Sequence, residues 1–299
     1  MVWKRSSPKA YKRSQITLAI LLILLLITLG FVFWMVRKKL DANRPVATTV
    51  IEQTSTTQET PEDVTQEAKP EFDSAKLQKT LDDWATTISG QASVVIADKD
   101  ANILASYNGS QEYFTASIYK LYVAYFGYQA VDAKSVDPSE QYINGHTRAE
   151  CLDIMIRESD SPCAEKLWAE LGKQEQTEKL IDLGITKTSL VGLNTTATDA
   201  AIMLAFIVRG EGLSIESQTA FLQSMKTQIY RDTLNVGFSD AVTVYNKIGF
   251  NGLKEYHDTA IVEFQDGRKL IVSVLTESVG TKKIVDLGKA IEAAVLAAD

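Results

Sequence analysis

The 299-residue chain is 45% hydrophobic and 23% charged, with a formal net charge of −7. That length supports a substantial core, and the acidic balance argues against a nucleic-acid partner. The two histidines, His146 and His257, are far apart and form no metal-binding pair, which excludes a His-rich zinc site; with only two cysteines, a disulfide-rich framework is excluded as well. Cys151 and Cys163 either form one bridge in an oxidising compartment or remain two buried thiols.

Residues 1–15 form a basic tail that carries Lys4, Arg5, Lys9, Lys12 and Arg13. Ile16–Val36, ITLAILLILLLITLGFVFWMV, holds no charge and matches the run of about 20 apolar residues that a membrane-spanning helix needs. Phe31, Phe33, Trp34 and Met35 stand where a cleavable signal would place small residues, so the segment is expected to be an uncleaved anchor. Arg37, Lys38 and Lys39 follow it, but the longer basic tail precedes it. The expected topology is a single-pass cell-membrane protein with its N-terminus in the cytoplasm and its domain outside. Residues 37–73 are rich in Thr, Glu and Gln and poor in large apolar groups, the composition of a disordered linker.

The folded domain is expected over residues 74–299. Ser74 is the expected N-cap of a helix whose apolar face is Leu77, Leu81, Trp84 and Ile88, with Gly90 ending it. Two strands follow, Ser93–Ala97 and Ile103–Tyr107, joined by the turn-forming residues 98–102. From Ser117 to about Met225 the pattern is mostly helical. Strands return at Ala241–Ile248, Thr259–Phe264 and Leu270–Thr276, with an Asp266-Gly267 hairpin signal between the last two. A final helix aligns Ile284, Leu287, Ile291 and Val295. An isolated hairpin is barely stable in water, so the early and late strands must pair. The expected fold is α+β: a five-stranded antiparallel sheet, the terminal helices on one face and a helical lobe beyond, with a ligand cleft between sheet and lobe.

Three segments carry possible chemistry. Ser117-Ile118-Tyr119-Lys120 opens an apolar helix, and a spacing of three puts Ser117 and Lys120 on one face. A serine needs a base to become a nucleophile, and a buried lysine can supply a neutral amine. Glu158-Ser159-Asp160-Ser161-Pro162 lies between helical stretches and on its own reads as a capping motif. In Tyr245-Asn246-Lys247-Ile248-Gly249-Phe250, Lys247 alone reads as a solvated edge-strand lysine and Gly249 as a bulge.

In order and separation the three segments resemble the Ser-x-x-Lys, Ser-Asp-Asn and Lys-Thr-Gly set of class A β-lactamases and penicillin-binding proteins. Thr195-Thr196-Ala197-Thr198-Asp199 and His257-Asp258-Thr259-Ala260 are similar to further stretches of that family, and the resemblance spans Ser74 to Asp299. It implies that Ser117 attacks an acyl carbonyl with Lys120 as base, that Ser159 relays a proton to the leaving nitrogen, and that Lys247 provides positive potential for a substrate carboxylate. Ser161, Ile248, Gly249 and Phe250 would contact substrate, with the backbone N–H groups of Ser117 and Phe250 as the oxyanion hole. The substrate would be a β-lactam or a D-alanyl peptidoglycan peptide, with no metal or other cofactor.

The sequence departs from the family in three places. Ser161 stands for the usual Asn, and Ile248 for the Thr or Ser of the third segment. The loop 184–195, GITKTSLVGLNT, contains no acid, whereas class A enzymes carry there the Glu that activates water for deacylation. Deacylation is therefore expected to be slow. Two alternatives to a β-lactamase-like hydrolase follow: a peptidoglycan D,D-peptidase, or a catalytically weak wall-binding sensor domain.

Overall fold

The structure, a computed structural model, describes residues 72–252 and 254–297. The expected tail, membrane anchor and nearly all of the linker lie outside the described residues. Among the described residues no helix is long and apolar enough to cross a membrane.

Helix α1, Ser74–Ala85, buries Leu77, Leu81 and Trp84, as the spacing requires. Its cap is Asp73 rather than Ser74: the Asp73 carboxylate accepts from the Lys76 N–H at 3.0 Å. The helix also stops before Gly90. The hydroxyls of Thr86 and Thr87 donate to the carbonyls of Asp83 and Trp84 and take up the last turn.

Strands β1 (Gln91–Asp98) and β2 (Ile103–Tyr107) come next, followed by the short β3 (Glu112–Phe114). The sheet is completed at the other end of the chain by β7 (Thr243–Phe250), β8 (Tyr256–Glu263) and β9 (Lys269–Glu277). All pairings are antiparallel in the order β2-β1-β9-β8-β7, which leaves β7 at an edge. Asp266-Gly267 turns the β8–β9 hairpin, with Gly267 at φ +86°.

The sheet is covered on both faces, so β1 is buried almost end to end and shows no polar alternation. Val94 and Ile96 join Val272, Val274, Leu81 and Trp84 in a core under α1 and the last helix, α9 (Thr281–Leu296). Trp84 Nε1 donates to Lys283 O at 2.7 Å, tying the two helices together. Val95 and Ala97 point the other way, into a larger core shared with Ile271 and the helical lobe.

That lobe is built around α2, Tyr119–Asp132, whose residues Tyr119–Tyr128 are all buried. A helix enclosed all round carries no polar stripe. Around it lie α3 (Arg148–Arg157), α4 (Ser161–Glu170), α5 (Lys173–Asp182), α6 (Ala197–Arg209) and α7 (Ile215–Lys226); the short α8 (Leu234–Gly237) leads back to β7. Two small pairings, β3 with β6 (Asn194–Thr196) and β4 (Gln141–Ile143) with β5 (His146–Thr147), edge the lobe. Cys151 of α3 and Cys163 of α4 form a disulfide with 5.1 Å between their Cα atoms, which settles the alternative between bridge and thiols.

Candidate active site

Ser117 sits in a single 3-10 turn, Ala116–Ile118, that feeds directly into α2. The preceding Ala116 takes a left-handed φ of +42°, a costly conformation for a residue with a Cβ. Several contacts hold this approach in place. Thr115 N–H donates to Leu193 O at 2.7 Å, and His257 Nε2 donates to Phe114 O at 2.8 Å. The other nitrogen of His257, Nδ1, accepts from the Thr276 N–H at 3.1 Å, which fixes the neutral tautomer. His257 is fully buried, and that burial lowers its pKa below the ordinary histidine value.

Gly249 lets β7 come close to this turn. A Cβ there would lie 2.9 Å from Ile118 Cγ1 and 3.0 Å from Thr115 O. It is not a bulge: the β7–β8 register runs unbroken through Gly249 and His257. The missing side chain serves close packing instead.

Lys120 and Lys247 are both fully buried, so Lys247 is not the solvated edge lysine its strand position suggested. Their amines meet at the turn between α3 and α4. Lys120 Nζ donates to Ser159 O at 2.5 Å and reaches Ser159 Oγ at 3.3 Å and Ser161 Oγ at 3.2 Å. Lys247 Nζ donates to Ser159 Oγ at 2.9 Å. Ser159 holds a left-handed φ of +57°. Asp160 next to it caps α4 through the Cys163 N–H at 2.8 Å, so one short turn both caps a helix and joins two lysines.

Burial lowers the Lys120 amine from the ordinary lysine value to about 8, against the opposing pull of the Asp160 and Glu165 carboxylates. Burial, and secondarily the charge of Lys120, push Lys247 well below the ordinary value, with Asp258 opposing. Two buried lysines sharing one serine hydroxyl favour proton loss, the state a base requires. Asp258 is itself pushed up to about 6 by burial, despite hydrogen bonds from Thr233, Asn246 and the Leu234 N–H.

The predicted quartet divides in one respect. Lys120, Ser159 and Lys247 are directly hydrogen-bonded, and Ser161 joins them. The half-buried Ser117 hydroxyl makes no side-chain hydrogen bond among the described residues. Its N–H lies in the first turn, where backbone donors lack an intrahelical partner. On β7, Asn246 O and Ile248 N–H point off the sheet edge, since both are bonded to the Gln228 side chain. Two-residue periodicity aims the Phe250 N–H the same way. The Ser117 and Phe250 N–H groups are the candidate oxyanion hole. The Ile248 side chain falls on the opposite face from Lys247 and Gly249, together with Asn246 and Asp258, and is 6% exposed.

The loop 184–195 contains no acid and is held through its buried Thr188 and Thr195. Thr188 Oγ1 and Lys187 N–H both donate to Asp199 Oδ2 at 2.8 Å. Thr195 Oγ1 links Thr188 at 2.8 Å to the Tyr122 hydroxyl at 2.7 Å. Asp199 is thus committed to holding the loop. Gln228 escaped sequence reasoning altogether, because an isolated glutamine between a helix and a strand carries no motif signal.

An antiparallel sheet backed by two terminal helices thus brings its edge-strand lysine, Lys247, against the Ser159 turn and Lys120 of the helical lobe. A model of the beta-lactamase enzyme family matches residues 76–296, and the chain belongs to that family. Among solved structures it is similar to PBP-A at 20% identity, covering 73% of this chain and 95% of that one with a TM-score of 0.66. A mutant of PBP-A in an acyl-enzyme complex with penicillin G matches equally, at 20% identity, 74% and 96% coverage and a TM-score of 0.66. The class A beta-lactamase of the last common ancestor of Gram-negative bacteria is 18% identical, with 73% and 98% coverage and a TM-score of 0.67. At these identities the likeness speaks for the fold. No curated protein matches.

Proposed function

We propose that this protein is a membrane-anchored serine hydrolase that is acylated at Ser117 by β-lactams or D-alanyl peptides and deacylates slowly. The observation that carries the reading is the hydrogen-bonded set Lys120–Ser159–Lys247, built from three distant segments, with both lysines buried. In the acylation step Lys120 takes the Ser117 proton, the Ser117 Oγ–carbonyl carbon bond forms, and the carbon–nitrogen bond of the donor breaks. Ser159 passes a proton to the departing nitrogen. Backbone donors at the oxyanion are worth a factor of about 100–1,000 in rate. Slow release is supported by the acid-free loop 184–195 and by the engagement of Asp199 in holding it.

Full-length protein incubated with fluorescent penicillin is expected to retain label on a denaturing gel and to hydrolyse nitrocefin poorly. Fast nitrocefin turnover would refute slow release, and absence of label would refute acylation. The anchor at Ile16–Val36 and the external position of the domain belong to the same proposal. Protease added to intact cells should digest the domain; protection until lysis would reverse the orientation.

The absence of a loop acid also favours a second reading, a domain that binds or senses wall peptides. A Ser117→Ala strain that keeps every phenotype of the parent would select it.

A further inference from the structure

At the far end of α2 from Ser117, helices α2, α3 and α7 meet around a pocket of about 430 Å³. Close packing would fill such a junction with interdigitated large side chains. Here α3 contributes Ala149 and α7 contributes Ala220, and the space between the helices stays open. Its floor is apolar. Leu152 is buried, and so is the Tyr128 ring, which stacks on Phe221 with 5.1 Å between centroids. A cavity of ~150 Å³ accommodates benzene, so this one has room for a ring and a short side arm. It shares no residue with the Lys120–Ser159–Lys247 set.

The charge around the pocket is of one sign: Asp132, Asp153 and Glu216 line it, and no lysine, arginine or histidine does. Two of these carboxylates are fixed by α7. Asp132 Oδ1 accepts from the hydroxyls of Ser214 and Ser217, and its Oδ2 accepts from the Ser214 N–H, all at 2.7 Å. Against the opposing effect of burial, these bonds hold the Asp132 carboxyl below its ordinary pKa. Asp153 Oδ1 accepts from Ser224 Oγ at 2.8 Å. Ser217 and Ser224 are both buried and stand two helical turns apart, roughly 10 Å along the axis.

The two ends of the pocket differ. Asp153 is already paired with Arg157, Nε to Oδ2 at 2.9 Å. Asp132 and Glu216 form no ion pair among the described residues. The start of α7 offsets their charge by about half a unit through its dipole, which two carboxylates outweigh. A cation is therefore favoured at the Asp132 end, with apolar surface running from there toward Leu152.

We propose that this junction is a second binding site, for a small amphipathic cation whose ammonium group sits at Asp132 and Glu216 and whose aromatic or branched aliphatic body covers Tyr128 and Leu152. The site does not depend on acylation at Ser117, and no readout below involves labelling of that serine.

The test uses full-length protein in a non-ionic detergent and three probes of one shape, phenethylammonium, 2-phenylethanol and 3-phenylpropionate, with dissociation constants read by saturation-transfer NMR. The ammonium is expected to bind at least about tenfold tighter than the alcohol, and the carboxylate weakest of the three. Equal affinities for ammonium and alcohol would overturn the assignment. Ala220→Trp, at an exposed position, fills the pocket and should abolish ammonium binding. Micelles are the same for both proteins, so unchanged binding would place the probe elsewhere and overturn the site. If that variant does not fold, Ala149→Leu narrows the pocket from α3 and should weaken binding at least about fivefold, with no change again overturning the site. Glu216→Gln should cut ammonium affinity about threefold and leave that of the alcohol unchanged. An effect that is absent, or equal for both probes, would overturn the cation assignment.

Discussion

If Lys120 is the base that takes the Ser117 proton, its amine dictates how acylation depends on pH. Held at about 8, that amine is neutral in roughly a tenth of molecules at pH 7 and in roughly nine tenths at pH 9. A lysine with its ordinary pKa would be neutral about 300-fold less often at pH 7. The second-order rate constant for labelling Ser117 should therefore rise about tenfold between pH 7 and pH 9 and then level off. Glu165→Gln is the sharper perturbation, because Glu165 is exposed and, after Asp160, is the carboxylate that resists the effect of burial on Lys120. Removing it lowers the Lys120 pKa further and moves the ascending limb to lower pH. The gain at pH 7 has a ceiling of about tenfold, since no more than the remaining nine tenths of the amine can be neutralised, and it vanishes above pH 9. Stopped-flow labelling with fluorescent penicillin across this range measures both proteins. A gain of equal size at pH 7 and pH 9, or a limb displaced upward, would refute Lys120 as the base. So would a parent profile that keeps climbing with unit slope beyond pH 9.

Other consequences concern stability. His257 is buried with its pKa below the ordinary value of 6.5, so below about pH 6.5 the unfolded chain takes up the proton first and stability falls. Asp258, raised to about 6, works in the opposite direction, because acid neutralises a carboxyl that burial penalises. The informative comparison is therefore with His257→Asn: between pH 7 and pH 5.5 the parent should lose more of its urea midpoint, and an equal loss would remove His257 from the account. The Cys151–Cys163 bridge closes a loop across a separation of 12 residues, and the chain-entropy relation puts its loss at roughly 3 kcal/mol. Because the bridge encloses Ser159, Cys151→Ser with Cys163→Ser should lower the denaturant midpoint and slow labelling together; a fall in stability with labelling unchanged would leave the bridge a purely structural part.

The fold was legible wherever one side of an element meets a single core. The spacing of Leu77, Leu81 and Trp84 and that of Ile284, Leu287 and Ile291 marked both terminal helices, and all six residues are buried under the sheet. The strand set and its antiparallel pairing followed from the need to cover two distant hairpins. Boundaries slipped where side-chain hydroxyls or carboxylates take over backbone bonds, as at Asp73, Thr86 and Thr87. The short β3–β6 and β4–β5 pairings left no periodic signal, since two or three residues carry none.

In the candidate site, motif order found Lys120, Ser159 and Lys247, which the fold brings into direct contact. Local reasoning misjudged Lys247 and Gly249 because their surroundings come from the other end of the domain. A strand lysine looks solvated until a helical lobe closes over it, and the glycine is explained by an atom of Thr115 that sequence proximity never indicates. Gln228 was invisible for the same reason, as its partners Ile156, Asn246 and Ile248 lie on two other elements.

The central claim is that Ser117 is the nucleophile that the buried lysines serve. Its most direct test is peptide mapping by mass spectrometry after full-length protein has reacted with benzylpenicillin. The account predicts one penicilloyl adduct, on the peptide containing Ser117, lost in Ser117→Ala and slowed in Lys120→Met. Native protein without an adduct, or an adduct that persists on that peptide in Ser117→Ala, would contradict it.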